Sequence, residues 1–133
     1  MSLYTPISNF LETLDTTTIA TERKEGLNKL ADFLQQQLKE NKEANITFIC
    51  THNSRRSHLS QIWAQTIAQH FNFKTITSYS AGTAATALFP TVLETLRNTG
   101  FKIENLSNAE NSLYSIKYSE NSHPIIGFSK TLD

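Results

Sequence analysis

The sequence predicts an α/β fold in which a parallel sheet is flanked by helices. An apolar run rich in β-branched and aromatic residues ends at Cys50, and a helical pattern begins near Ser57. A second β-rich run then ends near Ser80. A strand, a helix and a strand in this order form a parallel pair with a right-handed crossover. The chain has 133 residues, 38% of them hydrophobic, so we expect one core that needs neither disulfide nor metal.

The first 44 residues are predicted to form a helical arm (1–44) that precedes a partial α/β domain (45–133). Thr5-Pro6 is typical of a helix cap followed by proline at the first helical position. A longer helix is expected at about residues 22–40, and its apolar face comprises Leu27, Leu30, Ala31, Leu34 and Leu38. We interpret the two helices as an amphipathic pair that covers one side of the sheet or forms a dimer surface.

Residues 45–60 combine a strand, a tight loop and the start of a helix. The strand ends at Cys50 because the next four residues are small or polar and favour local turn hydrogen bonds. Ser57 is placed to cap the helix that follows. The apolar positions of that helix have helical spacing and are Leu59, Ile62, Trp63, Ile67 and Phe71.

The remaining elements follow from the same kinds of pattern. A strand is expected at residues 75–80, with Gly82 ending it, and a helix is expected to begin at Pro90 and to end at Gly100. The alternation in residues 113–118 and the apolar run in residues 124–128 predict an additional C-terminal β-hairpin.

The loop after Cys50 is predicted to be an anion site with a reactive thiol. Backbone N–H groups and a helix amino terminus face this place, and both favour an anion. The same field lowers the pKa of a cysteine because it stabilises the thiolate. Arg56 follows six positions later and can meet an oxyanion with two parallel hydrogen bonds.

The eight residues Cys50-Thr51-His52-Asn53-Ser54-Arg55-Arg56-Ser57 resemble the signature of the low-molecular-weight protein tyrosine phosphatases and of the arsenate reductases that share their fold. Ser80-Ala81-Gly82-Thr83 is similar to the segment that ends the second strand of that family. The resemblance covers residues 45–101. His52 departs from it, because the family usually has glycine at this position, and a side chain is therefore expected beside the mouth of the loop.

The resemblance implies a role for each residue of the loop. Cys50 and Arg56 would be catalytic, and the phosphate would be bound by Thr51, His52, Asn53, Ser54, Arg55 and Arg56. Asn53 would hold the loop from within in a left-handed conformation, supported by Ser80. Three alternatives remain at the sequence level: Ser57 stabilises the thiolate or only caps the helix, Ser80 is only a polar strand end, and Arg55 points away to the surface.

The family mechanism implies hydrolysis of a phosphate monoester through a cysteinyl-phosphate intermediate. An aspartate followed by proline supplies the acid in that family. Here no aspartate precedes a proline; the three aspartates are Asp15, Asp32 and Asp133. Two alternatives are therefore kept, an arsenate reductase-like enzyme and a non-catalytic oxyanion-binding or assembly module. We expect the chain to be a fragment of a longer protein or a degenerate relative.

Charge and composition limit the partners. Twelve basic residues balance twelve acidic residues, so neither nucleic acid nor a membrane is expected as a partner. No acidic residue lies between Glu43 and Glu94, which suits an anionic substrate: a phosphorylated protein, a small phosphate ester or arsenate. The single cysteine and the lack of a long apolar run predict a cytoplasmic protein. We expect no cofactor and no metal, and we expect a homodimer because a two-stranded parallel pair has open edges.

Overall fold

The computed structural model describes residues 2–132. Its helices and strands, numbered in chain order, are α1 (Thr5–Glu12), a short 3₁₀ turn (Thr16–Thr18), α2 (Thr21–Lys39), β1 (Ala44–Cys50), α3 (Arg56–His70), β2 (Ile76–Gly82), α4 (Pro90–Thr99), β3 (Lys102–Asn105), β4 (Tyr114–Lys117) and β5 (Ile125–Gly127). The α/β class predicted from the sequence is confirmed. Asp133, one of the three aspartates considered above, lies outside the described residues.

The predicted parallel pair is present. β1 and β2 pair in register from Ala44 opposite Ile76 to Cys50 opposite Gly82. Helix α3 connects the two strands and packs on the face of β2 that carries Ser78, whose hydroxyl donates to the carbonyl of Gln61 at 2.7 Å. The carboxyl ends of both strands therefore meet at one edge, with the amino end of α3 beside them.

The outer edge of β2 is satisfied by the chain itself. The Gln65 side chain accepts from the Ser78 backbone N–H at 2.8 Å and donates to the Ile76 carbonyl at 3.2 Å. Farther along β2, Gly82 donates to the Lys130 carbonyl at 2.9 Å and accepts from the Leu132 N–H at 3.0 Å. The sequence analysis expected a homodimer because the parallel pair would have open edges, and the edge of β2 is not open.

A second sheet is antiparallel and has the strand order β3-β4-β5. The pair β4–β5 is the predicted hairpin, whereas β3 was not predicted. The main core lies between this sheet and helices α1, α3 and α4, and its most buried members are Ile7, Ile62, Leu96 and Ile116. Helix α4 begins at Pro90 and ends before Gly100, whose φ of 126° allows the turn, as the sequence predicted.

Helix α2 packs loosely, since none of its residues is fully buried. Its apolar face borders a groove of about 510 Å³ that is also lined by β1 and α3. Helix α1 is integrated into the main core through Ile7, and the Tyr4 N–H donates to the Tyr118 carbonyl at 2.9 Å. The division of the chain at residue 44 stays a prediction.

Candidate functional site

The loop between β1 and α3 bends around the side chain of Asn53. This residue is fully buried and has a φ of 46°, so the backbone is left-handed as the sequence predicted. Its Nδ2 donates to the Ser57 hydroxyl at 2.7 Å, and its Oδ1 accepts from the Lys130 backbone N–H at 2.9 Å. The amide thus fixes the loop to the first turn of α3 on one side and to the C-terminal segment on the other.

The Cys50 sulfur lies at the end of β1, next to the amino terminus of α3. The Ser57 hydroxyl is 3.0 Å from Sγ. Burial raises the pKa of this thiol, but the Ser57 hydroxyl and the backbone N–H groups of Ser57, Asn53 and Ser54 lower it by more. The resulting pKa is about 7, below the ordinary range for cysteine. A large fraction of Cys50 is therefore thiolate at neutral pH.

Ser57 does not cap the helix. Helix α3 begins one residue earlier, at Arg56, and the flanking residue Arg55 makes no side-chain capping bond. The Ser57 hydroxyl is instead directed to Cys50 and Asn53. Of the two interpretations left open by the sequence, the capping interpretation is wrong.

A concave pocket of about 180 Å³ opens above the sulfur. It is lined by Cys50, His52, Ser54, Arg55, Arg56, Thr86 and Phe89. Among residues 2–132, neither arginine forms an ion pair, and no carboxylate lines this pocket. The pocket therefore combines a thiol of lowered pKa with two arginines and no carboxylate, and this combination suits an oxyanion.

The sequence-predicted site residues do not all reach this pocket. Cys50, His52, Ser54, Arg55 and Arg56 lie together around it. Thr51 does not line it, and its carbonyl instead accepts from the N–H groups of Thr83 and Ala84 at 2.9 and 3.0 Å. Asn53 is buried beneath the loop.

Arg55 lies on the wall of the pocket as well as on the surface. It is solvent-exposed, and its guanidinium carbon is 5.0 Å from the centroid of the Phe89 ring. This stacking holds the guanidinium at the mouth of the pocket, where it can contribute to the positive field.

Lys130 was missed by the sequence analysis. Its ammonium group donates to Ser80 Oγ at 3.0 Å, to the Phe128 carbonyl at 3.2 Å and to Asn53 Oδ1 at 3.4 Å. Ser80 was expected to support Asn53, and within residues 2–132 its hydroxyl is linked to Asn53 through this lysine. Burial lowers the pKa of Lys130 to about 8.

His58 lies behind the loop in a neutral state. It is fully buried, and its Nδ1 is 3.4 Å from Ser80 Oγ. Burial, and next the positive charge of Lys130, lower the pKa of His58 to about 4. Its Nε2 has no hydrogen-bond partner within the described part of the chain. This histidine is therefore a packing residue at neutral pH and no part of the pocket.

The C-terminal segment, residues 128–132, fastens the loop through Ser129. The Ser129 hydroxyl donates to the His52 carbonyl at 2.8 Å and accepts from the Thr86 N–H at 2.8 Å. The side-chain amide of Asn111 holds both backbone groups of Ser129, at 2.9 and 2.7 Å. These contacts join positions up to 77 residues apart, and no local sequence pattern signals them.

Comparisons with known proteins identify the region that carries this loop. The sequence profile of the family described as "Low molecular weight phosphotyrosine protein phosphatase" matches residues 45–117, more than half of the chain. A search of curated proteins gives no significant match. Among solved structures, a thioredoxin-dependent arsenate reductase of Corynebacterium glutamicum superimposes with a TM-score of 0.40 and 24% sequence identity. The alignment covers 86% of this chain and 49% of that protein, so the chain spans about half its length.

Gly82 provides a first test of the site geometry. A Cβ at this position would lie 2.7 Å from both the Asn53 nitrogen and the Thr51 oxygen, so Gly82→Ala must displace the loop. We expect the free energy of unfolding to fall by about 1–3 kcal/mol in urea denaturation. The matched control is Gly26→Ala, in open space on α2, which should raise it by about 0.5–1 kcal/mol. Equal effects of the two substitutions would contradict the close contact.

Ser57 provides a second test. Because its hydroxyl lowers the pKa of Cys50, Ser57→Ala should raise that pKa from about 7 toward the ordinary value of about 8.5. The pH dependence of thiolate absorbance in the ultraviolet measures the change. Ser60→Ala, on the exposed face of the same helix, is the control and should leave the titration unchanged. An unchanged titration in Ser57→Ala would show that the hydroxyl does not act on the sulfur.

Proposed function

The chain belongs to the low molecular weight phosphotyrosine protein phosphatase family, and from this premise we propose that it hydrolyses phosphate monoesters through Cys50. The observation that carries the proposal is the position of the Cys50 sulfur, which has a pKa of about 7 and lies in the same pocket as Arg56. A thiolate that shares a pocket with a guanidinium is a nucleophile placed near a charge that can stabilise the attacked oxyanion.

The proposed reaction has two displacement steps. The thiolate attacks phosphorus in line with the ester bond, so that an S–P bond forms as the P–O bond breaks. The loop N–H groups and Arg56 hold the charge on the three equatorial oxygens. The leaving oxygen departs on the side opposite the sulfur and takes up a proton. Water then attacks the cysteinyl-phosphate, which releases inorganic phosphate and returns the thiolate.

The pocket mouth favours an aromatic ester. Phe89 lies at the mouth and is about two-fifths exposed, and the Arg55 guanidinium stacks on it. A planar aryl group of a phosphotyrosine or a small aryl phosphate can pack against such a surface, since both aromatic and guanidinium faces stack favourably. We therefore propose aryl phosphates as the substrate class.

Arsenate reduction is the second candidate, favoured by the pocket lining. No carboxylic acid lines the pocket among residues 2–132, and a thiolate that attacks arsenate displaces only hydroxide or water. Cys50 is the single cysteine of this chain, so an external thiol must complete the reaction. That thiol would attack the sulfur of the cysteinyl-arsenate, forming a mixed disulfide and releasing arsenic reduced from As(V) to As(III).

Turnover of p-nitrophenyl phosphate tests the proposal. The wild type should release phosphate, and Cys50→Ser should abolish release because the hydroxyl is a far weaker nucleophile. Arg56→Lys should lower kcat about 10²- to 10³-fold because the paired donors are lost. Arg23→Lys, on the exposed surface of α2, is the control and should behave as wild type. Phosphate binding by calorimetry without turnover would instead favour a non-catalytic oxyanion-binding module.

No helix within residues 2–132 has the length and apolar character needed to cross a membrane.

We also propose that the chain self-associates through the free edge of β1. In the described part of the chain β1 pairs only with β2. The sheet face beside this edge leaves Ile49 and Tyr79 52% and 46% exposed. An unpaired edge next to exposed apolar side chains favours pairing with another chain.

Light scattering at micromolar concentration tests the self-association. The wild type should have twice the mass of one chain, and Ile49→Lys should have the mass of one chain because a charge is placed at the edge. Leu14→Lys, at an equally exposed leucine outside the sheets, should remain dimeric. A monomeric wild type would contradict the proposal.

A further inference from the structure

The pocket holds one proton donor that the family signature does not contain. Apart from the nucleophile itself, the lining side chains are those of His52, Ser54, Arg55, Arg56, Thr86 and Phe89. Serine and threonine hydroxyls, phenylalanine and the always-charged guanidinium groups do not donate a proton near neutral pH. An imidazole does, since histidine is the side chain that changes its charge between pH 5 and pH 8.

The backbone of His52 is held by hydrogen bonds, and its side chain is exposed. The His52 carbonyl accepts from the Ser129 hydroxyl at 2.8 Å and from the Thr86 hydroxyl at 3.3 Å. The residue is nevertheless exposed and contributes to the pocket wall. Because its backbone is anchored, the imidazole of His52 stays beside the pocket where a substrate would bind.

The direction of the displacement makes this position useful. In an in-line reaction the leaving oxygen lies opposite the attacking sulfur. Cys50 and His52 line the same pocket, so an ester attacked by the sulfur has its leaving oxygen in the space that these side chains share. The positive charges of Arg55 and Arg56 face the same space and stabilise the anion, but they cannot protonate the leaving group.

We propose that His52 is the general acid of the reaction, an inference that rests on the proposed phosphatase function. The protonated imidazole gives its proton to the leaving oxygen as the P–O bond breaks. The neutral imidazole then accepts a proton from the water that attacks the cysteinyl-phosphate. Phosphate leaves, and the thiolate and the protonated imidazole are both restored. His52 would thereby take the role that the resemblance assigns to an aspartate followed by proline.

The buried His58 does not serve this role. It lies outside the pocket lining, has no exposed surface and has a pKa of about 4, so it carries no transferable proton at neutral pH. His52 is thus the only histidine among the described residues that lines the pocket.

The dependence on the leaving group tests the proposal. Phenyl phosphate releases a phenoxide about as basic as that of tyrosine, with a pKa of about 10, and needs protonation. p-Nitrophenyl phosphate releases a much weaker base and needs little. We expect His52→Gln to lower kcat/KM for phenyl phosphate about 10²-fold and to change kcat/KM for p-nitrophenyl phosphate far less, because kcat/KM reports formation of the cysteinyl-phosphate and not its hydrolysis. His70→Gln, at the far end of α3, is the control and should match wild type on both esters.

Chemical rescue separates proton transfer from support of the loop. His52→Gly introduces the residue that the family usually has at this position, so the loop should still form. Imidazole added to this variant should restore turnover of phenyl phosphate, and N-methylpyridinium, which has no transferable proton, should not. A merely structural role for His52 would give no rescue.

The outcomes distinguish the two levels of proposal. If turnover of both esters depends on Cys50 but His52→Gln lowers kcat/KM equally for both and imidazole gives no rescue, the role of His52 is refuted and the phosphatase function stands. If the wild type turns over neither ester, the phosphatase function fails and the acid role fails with it. A selective loss on phenyl phosphate with imidazole rescue establishes His52 as the acid.

Discussion

The buried amide of Asn53 is the contact on which the site depends. Its left-handed backbone turns the loop after β1 so that successive N–H groups face the Cys50 sulfur, and these groups lower the pKa of the thiol. The side chain is fully buried, so water cannot replace its hydrogen-bond partners. Leaving the amide unpaired there would cost about 1–3 kcal/mol. Its bonds to Ser57 and Lys130 therefore hold the loop in the form that the chemistry requires.

The C-terminal segment connects this loop to the stability of the sheet. Lys130 is bonded to Asn53 through its backbone N–H and to Gly82, at the end of β2, through its carbonyl. One short segment thus satisfies the strand edge and the loop together. Because the glycine at position 82 brings β2 into contact with the loop, the two strand ends and this segment form one packed unit. The geometry of the nucleophile is consequently a property of the tertiary fold as well as of the eight-residue signature.

The sequence predicted those parts of the fold that depend on neighbouring residues. The ends of β1, β2 and α4 follow from apolar runs, Pro90 and Gly100, which act locally. The left-handed Asn53 was also predictable, because few other residues tolerate that conformation. In contrast, β3 is a short strand (Lys102–Asn105) without buried residues, so its sequence carries no alternating apolar pattern.

The contacts behind the loop were not predictable because they join distant segments. Ser80 reaches Asn53 through Lys130, a residue 50 positions away. The resemblance implied that Ser80 supports Asn53, but it gave no sign that an ammonium group bridges the two side chains. The sequence left two roles open for Ser57 for a related reason. A serine at a helix start usually satisfies backbone N–H groups, but here its hydroxyl contacts the sulfur of Cys50 and the amide of Asn53.

The positively charged side chains around the loop all favour a bound anion. Within residues 2–132 Lys130 has no carboxylate partner, and its ammonium is held by hydroxyl, carbonyl and amide oxygens. Burial disfavours the charged lysine and lowers its pKa, and burial and then the charge of Lys130 lower the pKa of His58. An anion above the loop would lower the energy of the arginines and of this lysine at once. An oxyanion in the pocket therefore reduces the repulsion among these positive charges. We expect that anion binding stabilises the loop, and that an ordered loop binds the anion more tightly.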